Sequence, residues 1–133
     1  MVKILAYIFC TILACLTVFQ ILLIIGLPLG KFAWGGYNEV LPIGLRLGSV
    51  SSIFIYLFFS LIVLQKAKII NYFKNPKIPN YGIWFIVGYS FLGILVNLGS
   101  RSSGERIVMT PVVTLLAILS LLIALKTRTK PNN

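Results

Sequence analysis

The sequence predicts an all-α integral membrane protein, a single four-helix bundle of 133 residues. Hydrophobic residues make up 59% of the chain and charged residues only 11%, whereas soluble domains carry roughly 25% charged residues. The apolar residues form four continuous runs, at residues 4–25, 47–64, 81–98 and 107–125. Each run has about the 17 to 25 residues that cross a hydrocarbon core as a helix. The strands of a barrel would instead alternate in hydrophobicity, so four spanning helices are predicted.

The first run follows Lys3 and could be read as a signal peptide. It continues for ten residues past Cys15, however, which is too long for the apolar core of a signal peptide. We therefore expect a retained helix. Cys10 and Cys15 both lie inside it, and the chain has no His and only two acids. No thiol chemistry, metal site or cofactor is expected from this composition.

The second and third runs are joined by a lysine-rich connection that sets the predicted orientation. This connection, the amino end and the tail hold eight of the twelve basic residues and neither acid. The tail contributes Lys126, Arg128 and Lys130. Because cytoplasmic loops collect Lys and Arg, we expect both termini on the cytoplasmic side of the membrane.

The lysines of this connection are expected to rest on anionic lipid headgroups, although a specific lipid or partner site is the alternative. They are Lys66, Lys68, Lys74 and Lys77. The net charge of +10 does not indicate nucleic-acid binding, because the cations flank the spans and no folded basic module lies outside the membrane.

Polar side chains concentrate in the predicted outer halves of the spans. Such residues turn toward each other or toward water, since lipid cannot satisfy their hydrogen bonds. Either they mediate close helix packing or they line a pocket that opens outward. On the second reading, the lining residues are Gln20, Ser49, Ser52, Asn97, Thr110 and Thr114. On the third helix, Ser90, Gly93 and Asn97 share one face.

The first outer loop, "GLPLGKFAWGGYNEVLPIGLR", is unusually apolar and is expected to lie as a lid across the outer end of the bundle. Trp34 suits the membrane interface. In partly dry surroundings Glu39 should pair with Arg46, or with Arg101 or Arg106. The pair is either a structural latch or part of a ligand site in which arginines grip a carboxylate or phosphate.

The second outer loop, "GSRSSGER", contains a predicted helix start. Ser102 and Glu105 have the spacing of a capping box, in which each side chain bonds the backbone amide of the other. Glu105 is therefore expected to be structural. A helix that began only at Thr110 would barely span, so we expect the fourth helix to begin before Pro111 and to kink near it.

The segments "AWGGYNEVLPIGLRLGS" and "NLGSRSSGERIVMTP" resemble a family of small bacterial four-span membrane proteins that is itself uncharacterised. The two segments cover about a quarter of the chain. The resemblance implies a bacterial cytoplasmic membrane and two outer loops that belong together. It implies no activity, cofactor or substrate.

Three functions remain open at this point. The favoured one is a binding or accessory protein whose outward-facing polar and cationic pocket holds a lipid headgroup, a small anion or a partner. The second is an oligomeric transporter or channel for a small solute, although no ionisable residue lies at mid-membrane to couple ions. The third is a membrane enzyme that uses Glu39 or Glu105, for which no partner group is evident. A homo-oligomer or a membrane protein partner is compatible with the first two.

Overall fold

The computed structural model describes residues 1–128, which form four long helices. They are α1 (Val2–Ile24), α2 (Ile43–Lys66), α3 (Lys77–Leu98) and α4 (Ser103–Lys126). Each is long and apolar enough to cross a membrane, with a mean hydropathy of 1.7 to 2.6 in its most apolar part. The chain is a multi-pass membrane protein, and the predicted all-α four-helix architecture is confirmed.

The helices begin earlier than the apolar runs. α2, α3 and α4 each begin four residues before the corresponding run. The apolar runs do not include these first turns, because each turn contains a charged residue: Arg46 in α2, Lys77 in α3 and Glu105 in α4. Pro111 lies inside α4, so the fourth helix does begin before it, as expected. The predicted tail residue Lys130 lies outside the described residues.

Consecutive helices pack against each other and α4 packs back on α1, so the bundle is closed. At one end of the bundle, α1 and α3 end and α2 and α4 begin. We call this the lid end, and we call residues 25–42, which connect α1 to α2 there, the lid. At the opposite end, which we call the terminal end, lie the start of α1 and the end of α4.

The largest apolar core fills the terminal half of the bundle. Its residues come from all four helices and are almost fully buried; they include Phe9, Ile62, Ile83, Ile86 and Ile123. A smaller cluster at the lid end joins Leu23 of α1 to two lid residues, Ala33 and Leu41. The apolar lid is thus packed into the bundle, which accounts for its composition.

The terminal end is fastened by Lys66, the last residue of α2. Its Nζ donates to Oδ1 of Asn80 at 2.7 Å and to the carbonyl of Thr127 at 3.0 Å, which ties α2 to α3 and to the end of α4. Lys66 is only partly exposed, whereas Lys68, Lys74 and Lys77 are exposed. The ammonium of Lys66 thus satisfies a helix C-terminus, and contact of the four lysines with lipid headgroups stays a prediction.

Close packing of α2 against α3 gives a test of the bundle. A Cβ on Gly82 would lie 2.4 Å from Cδ1 of the buried Ile62, whereas a Cβ on Gly88 would meet nothing within 4 Å. We expect Gly82→Leu to lower the free energy of unfolding by about 1–3 kcal/mol through overpacking. Gly88→Leu, on the lipid-facing side of the same helix, is the matched control and should cost no more than about 0.5 kcal/mol. Reversible unfolding in mixed micelles measures both, and equal effects would contradict this packing.

Candidate functional site

The lid makes two short turns, Gly30–Phe32 and Trp34–Gly36, between extended segments. Three successive residues in the second turn have positive φ, namely Trp34 (51°), Gly35 (80°) and Gly36 (75°). Glycine adopts this region freely, but a bulky residue such as tryptophan rarely does. Gly36 must also lack a side chain, because a Cβ there would lie 2.3 Å from Cβ of Ser102. The "WGG" segment therefore has a conformation that few other sequences could adopt.

Trp34 is held by α2, which offsets its unfavourable backbone conformation. Its indole Nε1 donates to Oγ of the buried Ser49 at 3.2 Å. The ring also lies so close to Gly48 that a Cβ at that position would be 2.8 Å from it. Ser49 is therefore an anchor for the lid, and the glycine beside it makes room for the indole.

Glu105, in the first turn of α4, holds the other side of the lid. The residue is only 7% exposed. Its Oε2 accepts a hydrogen bond from the amide of Gly35 at 3.1 Å and another from the hydroxyl of Ser100. A buried carboxylate is stabilised by such donors and by the positive end of the helix dipole. Glu105 thus joins the lid to the first turn of α4 and to Ser100 in the α3–α4 connection.

The predicted capping box is half right. Ser102 is the cap, because its Oγ accepts from the amide of Glu105 at 3.3 Å, and the same hydroxyl donates to the carbonyl of Lys31 in the lid. The reciprocal bond from Glu105 to the amide of Ser102 is absent, and that amide donates to Oγ of Ser100 at 3.2 Å. Ser100 serves as the local acceptor, which frees the carboxylate for Gly35.

The predicted pairing of Glu39 is not observed. Glu39 is exposed, and within residues 1–128 no arginine nitrogen lies within 4.0 Å of its carboxylate. Arg46 donates from Nε to the carbonyl of Leu41 at 2.7 Å and from Nη1 to that of Ile24 at 3.5 Å. It therefore caps the end of α1, where carbonyls lack partners and a cation is favoured.

The other lid-end cations also have partners outside any pocket. Lys31 lies over the ring of Phe32, with 5.0 Å between Nζ and the centroid, and Arg101 lies over the ring of Tyr37 at 5.5 Å. Both contacts are cation–π interactions. Arg106 is exposed and donates to the carbonyl of Ser100. The expected cluster of arginines around a ligand does not form, because each arginine contacts a carbonyl or an aromatic ring at the lid end.

Beneath the lid lies a central cavity of about 530 Å³, within the range of about 300–1,000 Å³ typical of small-molecule sites. Its lining on α1 extends from Phe9 to Gln20 and on α4 from Glu105 to Leu116. Each stretch covers about 16 Å at the helical rise of about 1.5 Å per residue. The cavity is therefore elongated along the bundle axis, and most of its lining is apolar or aromatic, including Phe9, Leu13, Phe19, Phe59, Met109 and Leu116.

Polar side chains line the cavity from the lid to its middle. Asn97 and Glu105 are near the top, Gln20 and Ser90 lie below them, and Tyr56 also belongs to the lining. Gln20 is 8% exposed; its Nε2 donates to the hydroxyl of Tyr56 at 3.4 Å, while its Oε1 has no partner. A buried amide oxygen without a partner is unusual and costly in a native protein. This oxygen is enclosed by its neighbours, next to the cavity.

Only two of the polar residues expected to line a pocket, Gln20 and Asn97, do line the cavity. Ser49, Ser52 and Thr114 do not line the cavity. Ser49 accepts a hydrogen bond from Trp34, and Ser52 and Thr114 donate to carbonyls of their own helices at 3.1 Å and 2.7 Å. Oγ1 of Thr110 is buried without a partner, outside the cavity lining. Ser52 and Thr114 thus satisfy their hydroxyls within their own helices, and Asn97 does the same with Nδ2, which donates to the carbonyl of Gly93 at 2.8 Å.

The cavity reaches the apolar surface of the bundle along α3. Leu92 and Val96 both line it, yet they are 59% and 64% exposed. Toward the terminal end, the fully buried residues of the large core close it. No pattern in the sequence indicates this opening, because lipid-facing and cavity-facing apolar residues have the same hydropathy.

Among residues 1–128, no three His, Cys, Asp or Glu side chains are grouped so as to hold a metal ion. Comparisons with models of protein families, with curated proteins and with solved structures find no match. The resemblance to small bacterial four-span proteins stays a prediction, and arguments about function rest on the geometry of the lid and cavity.

The protein's two acids provide a matched test of the lid. We expect Glu105→Ala to leave the buried amide of Gly35 without its acceptor and to lower the free energy of unfolding by about 1–3 kcal/mol. Hydrogen exchange should then accelerate in peptides that cover residues 30–36. Glu39→Ala removes the same charge from an exposed position, so it should change stability by no more than about 0.5 kcal/mol. Similar exchange in both variants would contradict the assigned role of Glu105.

Proposed function

We propose that this protein is a membrane-embedded binding protein that holds an elongated, mostly apolar molecule in the central cavity, with the polar end of that molecule beneath the lid. The cell membrane, with both termini in the cytoplasm, is the location that the distribution of basic residues favours. In that orientation the lid faces outward. Contact of Lys68, Lys74 and Lys77 with anionic headgroups on the inner side is part of the same proposal.

The observation that carries the proposal is the shape of the cavity: closed at the terminal end and open through the side of α3 to the lipid-facing surface. A molecule dissolved in the bilayer could enter between apolar side chains without crossing water. The aromatic and aliphatic lower half would take an acyl or isoprenoid chain, and the polar upper half would take the end group.

The same shape favours binding over the two alternatives. Transport through the protomer would need a second opening, and the large core occupies the place where that opening would have to lie. For catalysis, the hydroxyl of Ser100 does bond the carboxylate of Glu105, but Ser100 is not among the cavity-lining residues. The hydroxyl of Ser100 therefore supports the lid and does not face a bound molecule.

Two neighbouring positions on α3 test the side opening. Val96 and Leu95 are 64% and 66% exposed, and only Val96 lines the cavity. We expect Val96→Trp to block the opening and to reduce the retained ligand about tenfold, a loss of about 1.4 kcal/mol of binding free energy. Leu95→Trp places the same ring on the lipid-facing surface and should retain ligand like the wild type. Native mass spectrometry from mild detergent would measure the bound mass.

Two outcomes of that experiment would contradict the proposal. One is a wild-type protein that carries no discrete adduct after mild extraction from its membrane. The other is an adduct that Val96→Trp retains as fully as Leu95→Trp does, which would place the binding site elsewhere on the protein.

A further inference from the structure

We infer that the cavity selects a single-chain amphiphile whose end group is a hydrogen-bond donor without negative charge, a hydroxyl or an ammonium, and that it discriminates against anionic end groups. This inference rests on the proposed function and names the class of ligand. It reverses the expectation of a cationic pocket for a headgroup phosphate or small anion.

The first argument is the charge of the lining. Glu105 is the one charged residue among the side chains that line the cavity in the described part of the chain. Arg46 bonds the carbonyls of Ile24 and Leu41, and Arg106 that of Ser100. A phosphate or carboxylate in the cavity would lose its hydration with no cation to replace it. It would also be repelled by the carboxylate of Glu105.

The second argument is the kind of hydrogen-bonding group that lacks a partner. Oε1 of Gln20 is unpaired and enclosed by its neighbours, so it would accept a bond from a ligand donor that displaces them. Its Nε2 already donates to the hydroxyl of Tyr56. Glu105 is a second acceptor beside the cavity, because a carboxylate only accepts.

The carboxylate of Glu105 has acceptor capacity left. Both of its hydrogen bonds, from Gly35 and from Ser100, go to Oε2. An ionised carboxylate has about four lone-pair sites. Within residues 1–128, no donor bonds the other carboxylate oxygen, Oε1. This oxygen is also not fully enclosed by the protein. A hydroxyl or ammonium at the top of the cavity would complete its coordination.

The length and width of the cavity favour one chain. Its lining covers about 16 Å along the axis, comparable with an extended dodecyl chain. A volume of about 530 Å³ is small for a lipid with two acyl chains. The side opening at Leu92 and Val96 would also admit one chain at a time.

A series of probes that share one tail tests this inference on the wild-type protein. Each probe has a dodecyl chain with a diazirine near its far end, and the end groups are hydroxyl, ammonium, sulfonate and phosphate. The probes are presented at equal concentration in vesicles of a zwitterionic lipid, and photolabelling is measured by intact mass. We expect the hydroxyl and ammonium probes to label cavity residues about tenfold more than the sulfonate and phosphate probes.

Two variants assign the end-group contacts. Glu105→Gln should lower the ratio of ammonium to hydroxyl labelling, because it removes the negative charge and keeps an acceptor. Gln20→Leu should reduce labelling by the hydroxyl probe, yet it should not destabilise the empty protein, because it replaces a poorly satisfied polar group with an apolar one of similar size. An unchanged ratio in Glu105→Gln would overturn the role given to this carboxylate.

The remaining outcomes separate the inference from the proposed function. Equal labelling by all four probes, blocked in Val96→Trp, would overturn the end-group selectivity and leave the cavity as a binding site. Stronger labelling by sulfonate and phosphate would overturn the selectivity as well. Absence of labelling by every probe, or labelling that Val96→Trp does not reduce, would overturn the proposed function itself.

Discussion

The hydrogen bonds of the buried Glu105 carboxylate determine how the lid end is built. A carboxylate removed from water is unfavourable unless donors surround it, and Glu105 obtains its donors from the lid amide of Gly35 and from Ser100. The amide of Gly35 reaches the carboxylate only when the lid lies against α4. The conformation of the WGG turn, with three successive positive φ values, is what aims the Gly35 amide at that oxygen. The lid and the start of α4 therefore depend on each other.

The basic residues at this end complete the same arrangement. The loops at the lid end have few acids, so the cations there satisfy carbonyls and aromatic rings, as Arg46 does at the end of α1 and Arg101 does over Tyr37. An arginine that bonds two carbonyls contributes to the loop structure and leaves no donor aimed into the cavity. Positive charge in the sequence of a loop consequently does not imply a positive site beneath it.

The sequence predicts the bundle well and the site only in part, for separate physical reasons. Long apolar runs predict the helices that are stable in lipid. The predicted spans therefore agree with the observed helices, apart from the polar first turns of those helices. Glu105, Trp34, Gln20 and Asn97 were recognisable because polar or amphipathic groups near a membrane need partners. The partners themselves were not predictable: Gly35 reaches Glu105 across 70 residues of sequence, and such contacts carry no local pattern.

The way the lid is fastened bears on how a ligand could enter. Trp34 attaches the lid to α2 and Gly35 attaches it to α4. Lifting the lid would break both hydrogen bonds and expose the surface of Gly48 against which the Trp34 ring packs. Parting the side chains of Leu92 and Val96 breaks no hydrogen bond and exposes them to lipid, where they are already partly exposed. Entry from the bilayer along α3 is therefore the less costly route. The lid would then stay in place over the polar end of the ligand, and the side chains of Leu92 and Val96 would be the part that moves.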